Sequence, residues 1–295
     1  VTSRADVYGA SPVKRYRRTK TELADLDDAI VSAVEQDRPV SLRGVFYRVV
    51  SAGAVPKTEN GYEAVGRRLL ALRRDGRVDY WDIVDGTRWV VEPTTYDSAR
   101  DALRRTRDTY RQLLWADQDT VVQIYSEKDA ITGVVKGVTA SWDVPLGIVR
   151  GYASESFAYR VADSIERAFY DDKRVYVYQL GDHDPSGVNA WLSFENVVRG
   201  FLDIPDSIVT FERIAVTPEQ IREMNLPTRP TKASDSRSAR FHGESVEVDA
   251  IPAPELRRIV EESITRHIDQ EQLRLTRVAE NSEREVLDNI LTGLA

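Results

Sequence analysis

The chain of 295 residues has no cysteine, one methionine and three histidines. Without cysteine there is no disulfide, no thiolate metal site and no cysteine nucleophile, a composition in keeping with a cytoplasmic protein. His242 and His267 have no ligand-spaced companions and read as structural or surface residues. No apolar run approaches the ~20 residues of a membrane span, and no hydrophobic signal segment or internal repeat is evident. A Gly-x-x-x-x-Gly-Lys phosphate loop is also missing, which excludes a Walker-type ATPase from this sequence.

What is present suffices for one large or two ordinary domains, with 41% hydrophobic residues to fill their cores. The net charge of −7 is unevenly spread: residues 1–115 carry 21 basic against 17 acidic side chains, and the rest 20 against 31. The basic part could face phosphates and the acidic part could hold metal.

Two stretches of the acidic part carry chemistry. Residues 174–180, Arg-Val-Tyr-Val-Tyr-Gln-Leu, alternate like a buried strand and run into Gly181-Asp-His-Asp-Pro-Ser-Gly187. Such C-terminal strand edges are where open α/β sheets place their sites. Extended geometry sends Asp182 and Asp184 to one side and His183 to the other. Two carboxylates that close need a proton or a cation between them, and an all-oxygen site suits Mg²⁺ or Mn²⁺. The competing reading is an acidic turn that caps the helix opened by Pro185 and Ser186. Upstream, Val121-Val-Gln-Ile-Tyr125 reads as a second strand and leads into Ser126-Glu127-Lys128-Asp129-Ala130 at a helix start.

The basic part begins with a cluster, Lys14 to Lys20, that is either a solvated tail or an arm along DNA phosphates. Thr19 and Glu22 form a capping box, and Leu23, Leu26, Ile30 and Val34 predict a helix to about Gln36. Ser41 caps the next, in which Leu42, Val45, Phe46, Val49 and Val50 form one apolar stripe. Tyr47 lies roughly 130° from its centre and is expected to face outward. Arg43 precedes it by one turn on the same side, where a guanidinium could bind phosphate and favour the phenolate. Asn60 and Glu63 suggest a cap for a helix from Gly61 to about Asp75, with Tyr62, Val65, Leu69 and Leu72 inward. Arg67 and Arg74 share its opposite face, as expected of a recognition helix, flanked by Arg68 and Arg73. Residues 78–84, the turn Asp85-Gly86 and residues 87–91 read as a β-hairpin with Arg88 near its tip. Lys57 joins these arginines as a candidate DNA contact.

A glutamate after one parallel strand and Asp-x-Asp after a later one resembles the Toprim nucleotidyl-transfer domain. The sequel Asp-Pro-x-Gly, and Arg43-Gly-Val-Phe-Tyr47 ahead of it, resemble the A subunit of type IIB topoisomerases (topoisomerase VI) and the related meiotic double-strand-break transesterase. One departure stands out: Gly44 occupies the place of an acid in that element. The resemblance implies Glu127 as general acid or base and metal ligand, Asp182 and Asp184 as principal metal ligands, and Tyr47 as the nucleophile. It also implies a metal pocket supplied by the partner subunit of a homodimer, double-stranded DNA as substrate, and a separate ATPase subunit for strand passage.

The expected fold is thus α/β: a winged-helix domain over 1–115, then a Toprim domain with a parallel sheet and a C-terminal helical extension over 116–295. A helix over 97–116 with Leu103, Tyr110, Leu113 and Leu114 inward should join them. Strands are expected at 121–125, 146–150, 174–180 and 207–216, with helices near 128–138, 155–170 and 186–201 and a short one from 217. Glu155 reads chiefly as a helix-start carboxylate. Residues 226–243 read as a long loop, and Val246-Glu-Val-Asp-Ala-Ile251 restores order before the final helices. The last of these either packs on its own domain or makes a dimer contact. Two other functions share these motifs: a Toprim nuclease that uses water, as in some bacterial plasmid-defence systems, and a non-cleaving DNA-binding module.

Overall fold

The structure is a computed structural model that describes residues 18–84, 92–229 and 244–293. It is a mixed α/β fold built on a four-stranded parallel sheet. Helix α1 (Lys20–Asp37) starts at the expected capping box and buries Leu26, Ile30 and Val34. A two-residue strand β1 (Val40–Ser41) leads into α2 (Leu42–Ser51), whose cap is Ser41, its hydroxyl accepting from the Gly44 amide at 2.9 Å. Helix α3 (Glu59–Arg74) starts two residues earlier than predicted. Thr58 has extended backbone and accepts from the Gly61 amide at 3.1 Å, so Asn60 falls inside the first turn rather than capping it.

The expected strand over 78–84 is mostly replaced by a 3₁₀ turn, Tyr80–Asp82. The Asp79 carboxylate accepts from the Trp81 amide at 2.8 Å, a local bond that competes with strand pairing. Of this stretch β2 (Ile83–Val84) is the strand, and it pairs in parallel with β1. The second half of the expected hairpin, with Arg88, lies outside the described residues, as do the basic cluster up to Arg17, His242 and most of the 226–243 loop. The connecting helix is shorter than expected: α4 (Ala99–Thr109) ends before Tyr110, and Leu113 is 69% exposed while Leu114 and Trp115 are buried.

From Thr120 the order follows the sequence reading closely: β3 (Thr120–Ser126), α5 (Asp129–Ser141), β4 (Leu146–Ile148), α6 (Glu155–Tyr170), β5 (Arg174–Leu180), α7 (Pro185–Phe201), β6 (Val209–Ala215) and α8 (Pro218–Glu223). Sheet order is β4-β3-β5-β6. Its central strand β5 shows why the motif strand is so apolar: Val175 and Val177 face a cluster with Val161, Ile165 and Phe194 of α6 and α7, while Tyr178 and Leu180 face the opposite layer. That second layer holds α5 and α9 (Ala253–Thr265), and its cluster continues without a break into Leu26, Ile30, Val45, Val65 and Leu69 of α1 to α3. Val84 of β2 seats against α5 so closely that a Cβ on Gly133 would lie 1.8 Å from its Cγ1. Helix α10 (Gln270–Gly293) closes the chain against α4, with the Arg284 guanidinium donating to the Tyr110 carbonyl at 2.6 Å and Arg107 paired to Asp288 at 2.7 Å. The structure thus gives α10 a contact within its own chain, though Val278, Val286 and Ile290 stay exposed. His267 has the structural role expected of it, stacked on Tyr176 at 3.8 Å and bonded to the Tyr178 hydroxyl at 2.6 Å.

Candidate functional site

Strands β3 and β5 run in register and end side by side, Ser126 opposite Leu180, so Glu127 and Asp182 emerge at one edge of the sheet. The Glu127 amide donates to the Leu180 carbonyl at 2.9 Å, and the Asp182 amide donates to Glu127 Oε2 at 3.1 Å. That oxygen lies between two glycines: a Cβ on Gly181 would come within 2.8 Å of it, and one on Gly187 within 3.0 Å. The two glycines that frame Asp-x-Asp therefore make room for the carboxylate of a different strand. His183 leaves this edge, pairing through its backbone with Val246 at 2.8 and 3.0 Å. Asp184 caps α7, its Oδ1 accepting from the Gly187 amide at 2.7 Å, so the capping reading of this turn is true of Asp184. Arg213 of β6 pins the turn from below by donating to the carbonyls of Gly181 and Asp182 at 3.1 and 2.7 Å.

Asp182 points into a cleft of about 550 Å³ that it shares with Glu127, Lys128, Glu247 and Asp249. Lys128 is its centre: the ammonium lies 2.8 Å from Asp182, 3.2 Å from Asp249 and 3.3 Å from Glu247. Asp182 Oδ1 also accepts from the Val248 amide at 2.9 Å, and Asp249 accepts from the Ser41 hydroxyl at 2.6 Å. Burial pushes the Asp182 carboxyl above its ordinary range, against the pull of Lys128. Burial likewise raises Glu127, and the charges of Asp182 and Asp184 add to the effect. Glu247 behaves oppositely. Although burial opposes ionisation, Lys128, Arg43 and Arg229 together hold it down to about 2. Its partners lie at 3.3 Å (Lys128), 2.5 Å (Arg43) and 3.3 Å (Arg229).

Arg43, Arg229, Tyr62 and Glu247 also line a second cavity, of about 360 Å³, and Tyr47 lines it too. The structure corrects the outward orientation expected for Tyr47, which is only 4% exposed. The helical wheel measured only α2's own stripe; residues from more than 170 positions later cover the other face. The Tyr47 ring packs 5.4 Å from Phe46 and 5.1 Å from the Lys57 ammonium. The expected bias toward phenolate is also reversed: burial first, then the Glu247 charge, push the phenol well above its ordinary value, outweighing Arg43. Gly44 is explained by space, since a Cβ there would sit 2.8 Å from Val40 Cγ2. The acid that meets Arg43 is Glu247 instead.

The all-oxygen donor types of Glu127, Asp182 and Asp184 are those a hard divalent cation takes, and burial raises the carboxyls of Glu127 and Asp182. Among the described residues, however, no three carboxylate or imidazole side chains are gathered into a ready-made metal cluster. Asp182 is committed to Lys128 and Asp184 to its helix cap.

The candidate DNA contacts divide. Arg67 and Arg74 are exposed on α3, Arg67 held only by Glu63 one turn away at 3.1 Å. Arg68 is engaged with Asp27 of α1 through two bonds, at 2.7 and 2.5 Å, and Arg73 stacks on Tyr80 at 4.3 Å, so both tie elements together. Lys57 is turned inward and donates to the carbonyls of Pro227 and Thr228 at 2.7 and 2.9 Å. Sequence reasoning missed Lys128, Arg213, Arg229, Glu247 and Asp249 as site residues. The acids at 247 and 249 had a readable signal, the same i, i+2 spacing as Asp182 and Asp184; the cations had none. No protein-family model matches this chain, and no curated protein shows detectable sequence similarity to it.

Proposed function

We propose that this chain binds double-stranded DNA and breaks its phosphodiester bonds by tyrosine transesterification, in the manner of the type IIB topoisomerase A subunit it resembles. In this reading the N-terminal helices are a winged-helix unit, the parallel sheet is a Toprim unit, and a homodimer makes the two cuts. A separate ATPase subunit would be needed for strand passage. The observation that carries the reading is the adjacency of Tyr47 to the carboxylate cleft: the two cavities share Arg43, Tyr62, Arg229 and Glu247. Tyr47 would bond to phosphorus, the bond to the leaving sugar oxygen would break, and that oxygen would take up a proton. A raised carboxyl suits Glu127 to carry the phenol's proton. Arg43 and Arg229 are placed to orient the phosphate. Mg²⁺ or Mn²⁺ held by Glu127, Asp182 and Asp184 would supply charge neutralisation at the phosphoryl oxygens.

Burial of the phenol favours a second reading, hydrolysis by water with Tyr47 as a wall residue. Cleavage of end-labelled supercoiled plasmid by wild type and Tyr47→Phe, with divalent metal or chelator and with or without protease, separates the two. The substitution deletes a hydroxyl that has no hydrogen-bond partner among the described residues, so the fold should hold to within about 0.5 kcal/mol. Transesterification predicts that the variant loses cleavage outright and that wild type leaves protein on a 5′ end. A hydrolase would cut equally well without Tyr47 and leave free ends, and inertness of both proteins would point to a non-cleaving DNA-binding module only if it persists once a partner subunit is supplied.

A further inference from the structure

The acids of the carboxylate cleft fall into two halves that share Asp182. On one side stand Glu127, framed by Gly181 and Gly187, and Asp184 at the start of α7. On the other stand Glu247 and Asp249, and a cation already sits at the centre of this half. The Lys128 ammonium has three protons to donate and three carboxylates to receive them: Asp182 at 2.8 Å, Asp249 at 3.2 Å and Glu247 at 3.3 Å. Among the described residues no ion pair joins it to Glu127 or Asp184, so it belongs to one half alone.

A group of acids is not by itself a cation site; the seated ammonium is what marks this one. Each of its three carboxylates is also oriented by a further donor. The Val248 amide holds Asp182 Oδ1 at 2.9 Å, the Ser41 hydroxyl holds Asp249 at 2.6 Å, and Arg43 and Arg229 hold Glu247 at 2.5 and 3.3 Å. Outer partners of this kind fix the ligands of bound cations. The distances to Lys128 are those of ammonium hydrogen bonds and exceed the ~2.0–2.6 Å at which a hard divalent ion takes oxygen. The absence of a ready-made metal cluster among the described residues agrees with that spacing. The position opens on the cleft of about 550 Å³, which gives a solvent ion a path to it once the ammonium is gone.

We propose that Lys128 is a built-in cation filling the half of the site formed by Asp182, Glu247 and Asp249, in the place a second divalent ion would take. Sites that break phosphodiesters commonly set two metal ions ~3.5–4 Å apart. Here one of the pair is covalently part of the chain, so the cleft takes at most one divalent ion, on the Glu127 side. The inference rests on the phosphodiester reading above only for that one ion. Lys128 spends its three donors on carboxylates, which makes it a positioning residue that holds Asp182 and supplies charge without touching substrate.

Counting bound ions tests this without any cleavage. Wild type, Lys128→Met and Lys128→Gln are titrated calorimetrically with Mn²⁺, and their unfolding midpoints are compared in chelator and in Mn²⁺. Each variant should bind one Mn²⁺ more than wild type. Its midpoint should fall below that of wild type in chelator and regain most of the loss in Mn²⁺, as binding to the folded state alone requires. Adding Asp249→Asn to Lys128→Met should remove the extra ion, and adding Asp184→Asn should not. Lys128→Gln keeps two amide donors and carries the test if Lys128→Met does not fold. A wild type that binds no Mn²⁺, beside a variant that binds one, would remove the metal from the phosphodiester reading and leave this inference standing. The inference is overturned if the variants bind no more ions than wild type, if the extra ion survives Asp249→Asn, if Mn²⁺ restores no stability, or if neither variant folds even with Mn²⁺.

Discussion

The two adjoining cavities differ in the balance of charge on their walls, and of the four residues they share, Glu247 is the one acid. Around Tyr47, Arg43, Lys57 and Arg229 outnumber Glu59 and Glu247; in the adjoining cleft carboxylates outnumber cations, and Asp182, Glu247 and Asp249 surround the Lys128 ammonium. Glu247 separates them and is pulled from both sides, by Arg43 and Arg229 on one and Lys128 on the other. The contrast shows how a chain keeps like charges close: Asp182 and Asp249 are compensated within the cleft by Lys128, and Glu247 compensates cations of both cavities.

The comparison breaks most severely if its central cation is removed. Lys128→Met should leave three carboxylates facing one another and cost about 3 kcal/mol or more in denaturant unfolding. An unchanged midpoint would mean that the acids do not depend on Lys128.

Acid sharpens it next. Glu247 falls from an ordinary 4.5 to about 2, so its contribution, on the order of 3 kcal/mol, is present above pH 4.5 and lost as pH falls toward 2. Glu127 and Asp182 act oppositely, since raised carboxyls cost stability when ionised and relieve it on protonation. His267, lowered to about 4 by burial, contributes an earlier loss between pH 6.5 and 4. Stability measured against pH should therefore show a limb below pH 4.5 that Glu247→Gln flattens, while the limb above it persists.

The smallest effect lies outside both cavities. Arg67→Ala with Arg74→Ala removes two exposed cations and one surface pair, worth under about 0.5 kcal/mol of stability. Duplex affinity should nevertheless drop, and its salt dependence should flatten by about one unit of slope per lost phosphate contact. An unchanged slope would place the duplex on another face.

Sequence pattern made the sheet legible because β3 and β5 are short, β-branched and aromatic runs between punctuated helices, and length and flanking residues mark them as strands. It also brought Glu127 and Asp182 together, because parallel strands in register end at one edge. It misjudged Tyr47 because a helical wheel knows one helix, whereas the lid over that face comes from residues 228, 229 and 247. The strand over 78–84 was drawn too long for a local reason: the Asp79 carboxylate bonds the Trp81 amide and turns the chain before Ile83. Long-range cations such as Arg229 and Lys128 acquire meaning only through the acids that the fold delivers to them.

The contact of Val84 with Gly133 bears on how the segment bearing Tyr47 is held. A methyl group at 133 has nowhere to go, so β2 and α5 meet without slack, and β2 is tied to the cap of α2 through β1. The segment bearing Tyr47 is therefore packed, through β1 and β2, against the helix that follows Glu127, and Gly133→Ala would have to push β2 off α5 to make room.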